Sequence, residues 1–117
     1  MKQISAWSHR TGINVILPTA LVQDTKIYNS GYWFNGNDVT QFYKIGLTDS
    51  EKKFFSIPDK IESKVFNINS FNLAILICFE AKHTPTTYFQ KDEADIILWP
   101  GYWGWTQEDN WDENKEK

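Results

Sequence analysis

Apolar residues fall into two kinds of run along this chain: short, interrupted runs in the first half and continuous ones in the second. Residues 3–9 read as the end of a helix closed near Gly12, because glycine readily takes the left-handed conformation at a helix terminus. Residues 13–17 are mostly β-branched or aliphatic and stop at Pro18, which predicts a short strand. Residues 27–34 predict a second strand, followed by the turn signal Asn35-Gly36-Asn37, and residues 39–47 a third. Positions 27–47 therefore read as a hairpin. Asp24, in Gln23-Asp24-Thr25, reads as a turn residue. The stretch from Asp49-Ser50 through Lys53, with Pro58 beyond it, predicts a loop or a single helical turn.

Residues 65–68 and 71–78 form a second predicted hairpin around Asn69-Ser70. Within it, Leu73-Ala74-Ile75-Leu76-Ile77 is apolar at every position, so both faces of that strand should be covered. A helix is expected over 83–93, with Thr84 as N-cap and Pro85 in the first turn. Residues 94–100 repeat the buried-strand pattern. The stretch 106–117 is charged and amide-rich around Trp111, a frayed tail or the opening of a helix. Two continuous apolar strands flanking one helix predict a βαβ crossover in an α/β fold. Residues at the carboxyl end of such a strand face the usual place for a site.

Composition narrows the classes. A length of 117 residues suits one domain, taken here as 1–117, and 41% hydrophobic residues with 16% aromatic suffice for a core. The formal charge of −3, with no block of Lys and Arg, argues against nucleic acid as partner. No apolar run approaches the roughly 20 residues that cross a bilayer, and no secretion-signal pattern follows Met1-Lys2-Gln3-Ile4. A cytoplasmic location is expected. The single cysteine excludes an intrachain disulfide. Two isolated histidines and scattered carboxylates offer no ligand spacing, so neither a metal nor another cofactor is expected.

Cys78 stands where the apolar strand ends and the chain turns toward the predicted helix. A thiol there is held rigidly, and nearby amides would favour its thiolate. The same cysteine also reads as a small buried hydrophobe. Lys44, in Phe42-Tyr43-Lys44-Ile45-Gly46-Leu47, could supply a fixed cation for an oxyanion, or could be a solvated strand lysine. Glu51 could support it or lie on the surface beside Lys52 and Lys53. His83, five residues after Cys78, has no flanking signature of a Cys–His dyad. Glu80, Lys82 and Asp95 read as structural or surface residues. Trp99, Trp103, Trp105 and Trp111 could stack on a ligand, or cap a core or a subunit interface.

In combination these segments carry more. Leu76-Ile77-Cys78-Phe79-Glu80, then Pro85, then Ala94-Asp95-Ile96-Ile97-Leu98-Trp99-Pro100 resembles the nucleophile segment of the carbon–nitrogen hydrolase (nitrilase) superfamily. Glu93 stands where that family usually has glycine. Tyr43-Lys44-Ile45-Gly46-Leu47 resembles the family's lysine motif, with Gly46 in place of a frequent histidine, and Tyr28-Asn29-Ser30 resembles the strand before it. The resemblance covers nearly the whole chain. It implies part of an αββα sandwich, a hairpin-rich sheet with a strand–elbow–helix–strand unit carrying the cysteine.

The resemblance also implies roles. Cys78 matches the nucleophile that attacks an amide or nitrile and forms a thioester-type intermediate. Lys44 matches the oxyanion-stabilising lysine, assisted by the backbone N–H of Phe79, and Glu51 matches the supporting glutamate. Tyr102 and Trp103 match the loop that shapes the substrate pocket. The family's general-base glutamate precedes the lysine, but no glutamate precedes Glu51 in this sequence. Asp24 and Asp38 sit in turn contexts and do not replace it. The chain thus reads as the central part of a member, whether fragment, truncated product or degenerate copy. The expected partner is a small-molecule amide or nitrile, with impaired turnover and possible homo-oligomers. The competing expectation is a non-catalytic remnant serving as a binding or assembly module.

Overall fold

The computed structural model describes residues 1–61, 64–82, 89–90 and 92–101. Helix α1 (Lys2–Thr11) ends at Gly12, whose φ of 71° lets its N–H reach back to the Ser8 carbonyl. Ser8 is fully buried. Its hydroxyl donates to the Ile13 carbonyl at 2.7 Å and accepts the Gly36 N–H at 3.0 Å. One side chain thereby pins the helix to a turn of the sheet that follows.

That sheet is an antiparallel meander of β1 (Val15–Gln23), β2 (Lys26–Asn35) and β3 (Asp38–Tyr43), with β2 central. Asp24, at φ 54°, and Gly36, at φ 62°, supply the left-handed residues of its two tight turns. Two expected boundaries are corrected here. The first strand runs straight through Pro18, which pairs with Gly31. An edge strand bonds on one side only, so a missing N–H there is tolerated. The third strand stops at Tyr43 instead of continuing to Leu47. The next free amides, those of Ile45 and Gly46, bond to the Glu80 carboxylate instead of a neighbouring strand.

The second sheet consists of β4 (Val65–Ile68), β5 (Phe71–Ile75) and β6 (Ile96–Leu98), in that order. Strands β4 and β5 are antiparallel around Asn69 and Ser70, both at positive φ, as a two-residue hairpin requires. Strands β5 and β6 are parallel, the pairing that the predicted crossover requires. Leu73, Ile75 and Ile77 pack against Trp33 and Phe42 of the first sheet. Ala74 and Leu76 face the other way, into a cluster with Phe89. This two-sided burial accounts for the unbroken apolar run from 73 to 77. Phe66 joins the layers, 5.1 Å from the Trp33 ring and 6.0 Å from that of Phe42, both edge-on.

The expected burial of residues 94–100 is overturned for its strand. Ile96, Ile97 and Leu98 are 44%, 52% and 38% exposed. Strand β6 is an edge, and among the described residues no strand lies on its far side. The helix expected over 83–93 falls largely on residues outside those described, as does the stretch 106–117.

Candidate functional site

The backbone is constrained at the elbow after β5. Cys78 has φ 51°, a left-handed conformation that a residue with a Cβ adopts at a cost of roughly 1–2 kcal/mol. Its surroundings hold it there. The Cys78 N–H donates to the Pro100 carbonyl at 2.8 Å, and the Cys78 carbonyl accepts the Trp99 indole N–H at 2.6 Å. A Cβ on Gly101 would stand 3.2 Å from the Cys78 Cα, so only the bare backbone of that glycine fits comfortably. The segment after β6 therefore clasps the elbow on both sides of its peptide. Cys78 is half-buried against the cluster of Trp33, Phe42 and Ile77. A short 3₁₀ turn, Cys78–Ala81, follows it.

Lys44 follows the last residue of β3 and is 1% exposed. Its N–H donates to the Asn29 carbonyl at 2.8 Å, extending the sheet by one bond. Its ammonium donates to both carboxylate oxygens of Glu51, each at 2.7 Å. Glu51 opens the 3₁₀ turn Glu51–Lys53 and also accepts the Thr48 N–H at 2.8 Å and the Asn29 side-chain amide at 3.1 Å. Burial works to raise the Glu51 pKa. The hydrogen bonds from Lys44 and Thr48 and the Lys44 charge outweigh it, leaving the carboxyl below its ordinary 4.5. A buried cation is thus fixed in place by a carboxylate that stays ionised.

Glu80 links the two halves, so of its two expected places, structural or surface, the structural one holds. It is fully buried. One carboxylate oxygen accepts the N–H groups of Ile45 and Gly46, at 2.7 and 3.0 Å. The other accepts the Ile77 N–H at 2.8 Å and a hydrogen bond from the Lys64 ammonium. The backbones beside Lys44 and Cys78 therefore lie on either side of one side chain. Lys64, which nothing in the sequence singled out, is 3% exposed. Burial pulls its pKa below the usual 10.5, against the opposing charge of Glu80. A carboxylate two residues beyond the cysteine, closing an apolar run, was the one available signal for Glu80. Lys64 carried none, because its burial is decided by the Glu80 carboxylate it meets.

The remaining candidates divide by location. Asp95 accepts the Asn72 N–H, and its own N–H donates to the Asn72 carbonyl, both at 2.8 Å, which registers β6 on β5. Asp24 is an exposed turn residue, and Asp38, where a turn context was expected, is the exposed first residue of β3. Phe79 lies in the 3₁₀ turn, and its carbonyl accepts the Lys82 N–H. Tyr102, Trp103 and His83 lie outside the described residues. Among the described residues, no three His, Cys, Asp or Glu side chains form a metal-holding group, and no helix is long and apolar enough to cross a membrane.

No protein-family model matches the sequence, and no curated protein is significantly similar to it. Solved structures are similar in fold. A carbon–nitrogen hydrolase from Helicobacter pylori G27 superposes with a TM-score of 0.77 at 18% identity, over 97% of this chain and 40% of that one. A mutant amidase from Nesterenkonia sp. AN1, in which acrylamide has added to the active-site cysteine by Michael addition, gives 0.72 at 14%, over 91% and 43%. A glutamine-dependent NAD+ synthetase from Acinetobacter baumannii gives 0.69 at 20%, over 91% and 21%. The chain has the α/β fold of the carbon–nitrogen hydrolase (nitrilase) superfamily. It spans about two fifths of the length of the Helicobacter hydrolase.

Proposed function

We propose that this chain carries out cysteine-dependent carbon–nitrogen hydrolase chemistry on a small, non-peptide amide or nitrile. The Cys78 thiolate attacks the carbonyl or nitrile carbon. For an amide, the carbonyl oxygen becomes an oxyanion that faces the Lys44 cation and the Phe79 N–H. Collapse breaks the C–N bond, ammonia or an amine leaves with the proton that the thiol gave up, and a thioester on Cys78 remains. A nitrile instead adds the thiol to give a thioimidate, which one water converts to the same thioester with release of ammonia. Water then cleaves the thioester to a carboxylic acid and returns the thiol. Such a covalent route divides one hard displacement into two easier ones, and a preorganised cation stabilises charge where it develops. Glu51 holds the Lys44 ammonium in place through both carboxylate oxygens. Tyr102 and Trp103 shape the substrate pocket, and a reducing cytoplasm keeps the lone thiol free.

The observation that carries this reading is the strained, clasped elbow at Cys78, joined through Glu80 to the loop bearing a buried, ion-paired Lys44. The 117-residue polypeptide holds no glutamate before Glu51. Assayed as this polypeptide alone, with no such glutamate to transfer protons, turnover is expected to be lower by on the order of 10² to 10⁴. Acylation of Cys78 should survive that deficit better than hydrolysis.

The test is intact-mass spectrometry of the purified chain with a simple amide, alongside acrylamide alkylation. One acyl adduct on the wild type and none on Cys78→Ala is the expected result, with alkylation near neutral pH faster than that of a free thiol. A thiol that labels only after denaturation would overturn it. The exposed run Ile96, Ile97, Leu98 and Trp99 favours the second reading, an assembly or binding module without catalysis. That reading requires an unreactive Cys78 together with concentration-dependent self-association.

A further inference from the structure

Two buried ionisable side chains take no part in the reaction proposed above. Glu80 is fully buried and Lys64 is 3% exposed, and they form an ion pair with each other. Burying such a pair is unfavourable unless the geometry serves several partners at once. Glu80 does serve several. Its carboxylate accepts three backbone amides, two from the loop after Lys44 and one from the residue before Cys78. Lys64 directly precedes β4, and its carbonyl accepts the Ile75 N–H at 3.1 Å, so its backbone is fixed to the strand that leads into the elbow while its ammonium reaches Glu80.

We propose that Glu80 is a positioning residue, a carboxylate clamp that sets the Lys44 loop against the Cys78 elbow, with Lys64 holding the carboxylate in register. The role in catalysis rests on the reading of Cys78 as nucleophile and Lys44 as its oxyanion cation. The mechanism is geometric. Each oxygen faces a different side: one takes Ile45 and Gly46, the other Ile77 and Lys64. A glutamine amide retains one acceptor oxygen and turns the other into a donor. It can hold the loop or the elbow, and not both. Reactive groups displaced by about 1 Å lose on the order of 100-fold in rate.

The variants are Glu80→Gln with Lys64→Met, which removes both charges and strands neither, and Glu80→Gln alone. Two measurements separate the clamp from the chemistry. Hydrogen exchange should show the Ile45, Gly46 and Ile77 amides losing protection in the double variant by about tenfold or more, with β1–β3 amides unchanged. Acylation of Cys78 by a simple amide, expressed per folded molecule, should fall by 10- to 100-fold at saturation, with half-saturation within about twofold of wild type. A wholly structural role would lower the folded fraction and leave the rate per folded molecule unchanged. Unchanged exchange at the three amides overturns the clamp whatever Cys78 does. Lost protection with an unchanged acylation rate overturns the positioning role. A wild-type chain that never acylates refutes the proposed function, and the exchange result then decides the clamp by itself.

Discussion

Lys44 places its ammonium 2.7 Å from both oxygens of Glu51, seven residues further along the chain. The pair is asymmetric: Lys44 is 1% exposed and Glu51 is 22% exposed. The two partners should therefore respond differently to removal. Glu51→Gln leaves a buried ammonium without its counter-charge, a loss expected to be about 3 kcal/mol. Lys44→Met leaves a carboxylate that water reaches, and Thr48 still serves it, so a loss of about 1 kcal/mol is expected. Denaturant unfolding of both variants checks the order. Equal losses would show that burial does not govern the pair.

The same pair sets an acid limb of stability. Glu51 titrates below its ordinary 4.5 in the folded chain, so the unfolded chain binds its proton first as pH falls. Its contribution is complete above about pH 4.5 and disappears as pH drops through the lower, folded value. Unfolding free energies measured between pH 7 and pH 3 should decline, and Glu51→Gln should decline less steeply over that window. An identical slope would assign the acid limb to other carboxylates.

Gly101 lies against the strained elbow, where an added Cβ would stand 3.2 Å from the Cys78 Cα and 3.6 Å from its Cβ. The nearest neighbour is backbone, so it yields only by moving the elbow. Gly101→Ala should lower the alkylation rate of Cys78 by about tenfold, on the rule that small misplacements carry large rate penalties. Stability should fall by about 1 kcal/mol. Alkylation kinetics and thermal unfolding on the same sample separate the two effects.

Gly31 in the centre of β2 makes a similar close approach in the core. A Cβ there would come within 2.3 Å of the Phe42 ring, which is itself buried between the sheets. Gly31→Ala should destabilise by about 1–3 kcal/mol through overpacking. Adding Phe42→Leu should recover part of that loss, since the shorter side chain vacates the ring's far end. A double-mutant cycle on unfolding free energy tests the coupling.

Much of the fold was legible because it rests on local patterns. The helix stop at Gly12, the turns at Asp24 and Gly36 and the Asn69-Ser70 hairpin follow from which residues tolerate positive φ. The apolar run from Leu73 to Ile77 announced a strand covered on both faces, and Cys78 at its end announced the elbow. The motif around Lys44 and Glu51 likewise preceded the structure, which then brought the two side chains together.

Only the tertiary structure decided the rest. Pro18 sits inside a strand because, among the described residues, that strand is an edge, a property of neighbours and not of the proline. Ile96, Ile97 and Leu98 are exposed for the same kind of reason: apolar character states a preference for burial, and a covering layer must satisfy it. Glu80 and Lys64 show the principle most clearly. Glu80 reads as a structural or a surface residue and Lys64 draws no reading, because burying a lone charge is prohibitive and its partner cannot be seen in sequence. Three backbone amides and an ion pair, brought from segments up to 35 residues apart, make Glu80 the buried link between Lys44 and Cys78.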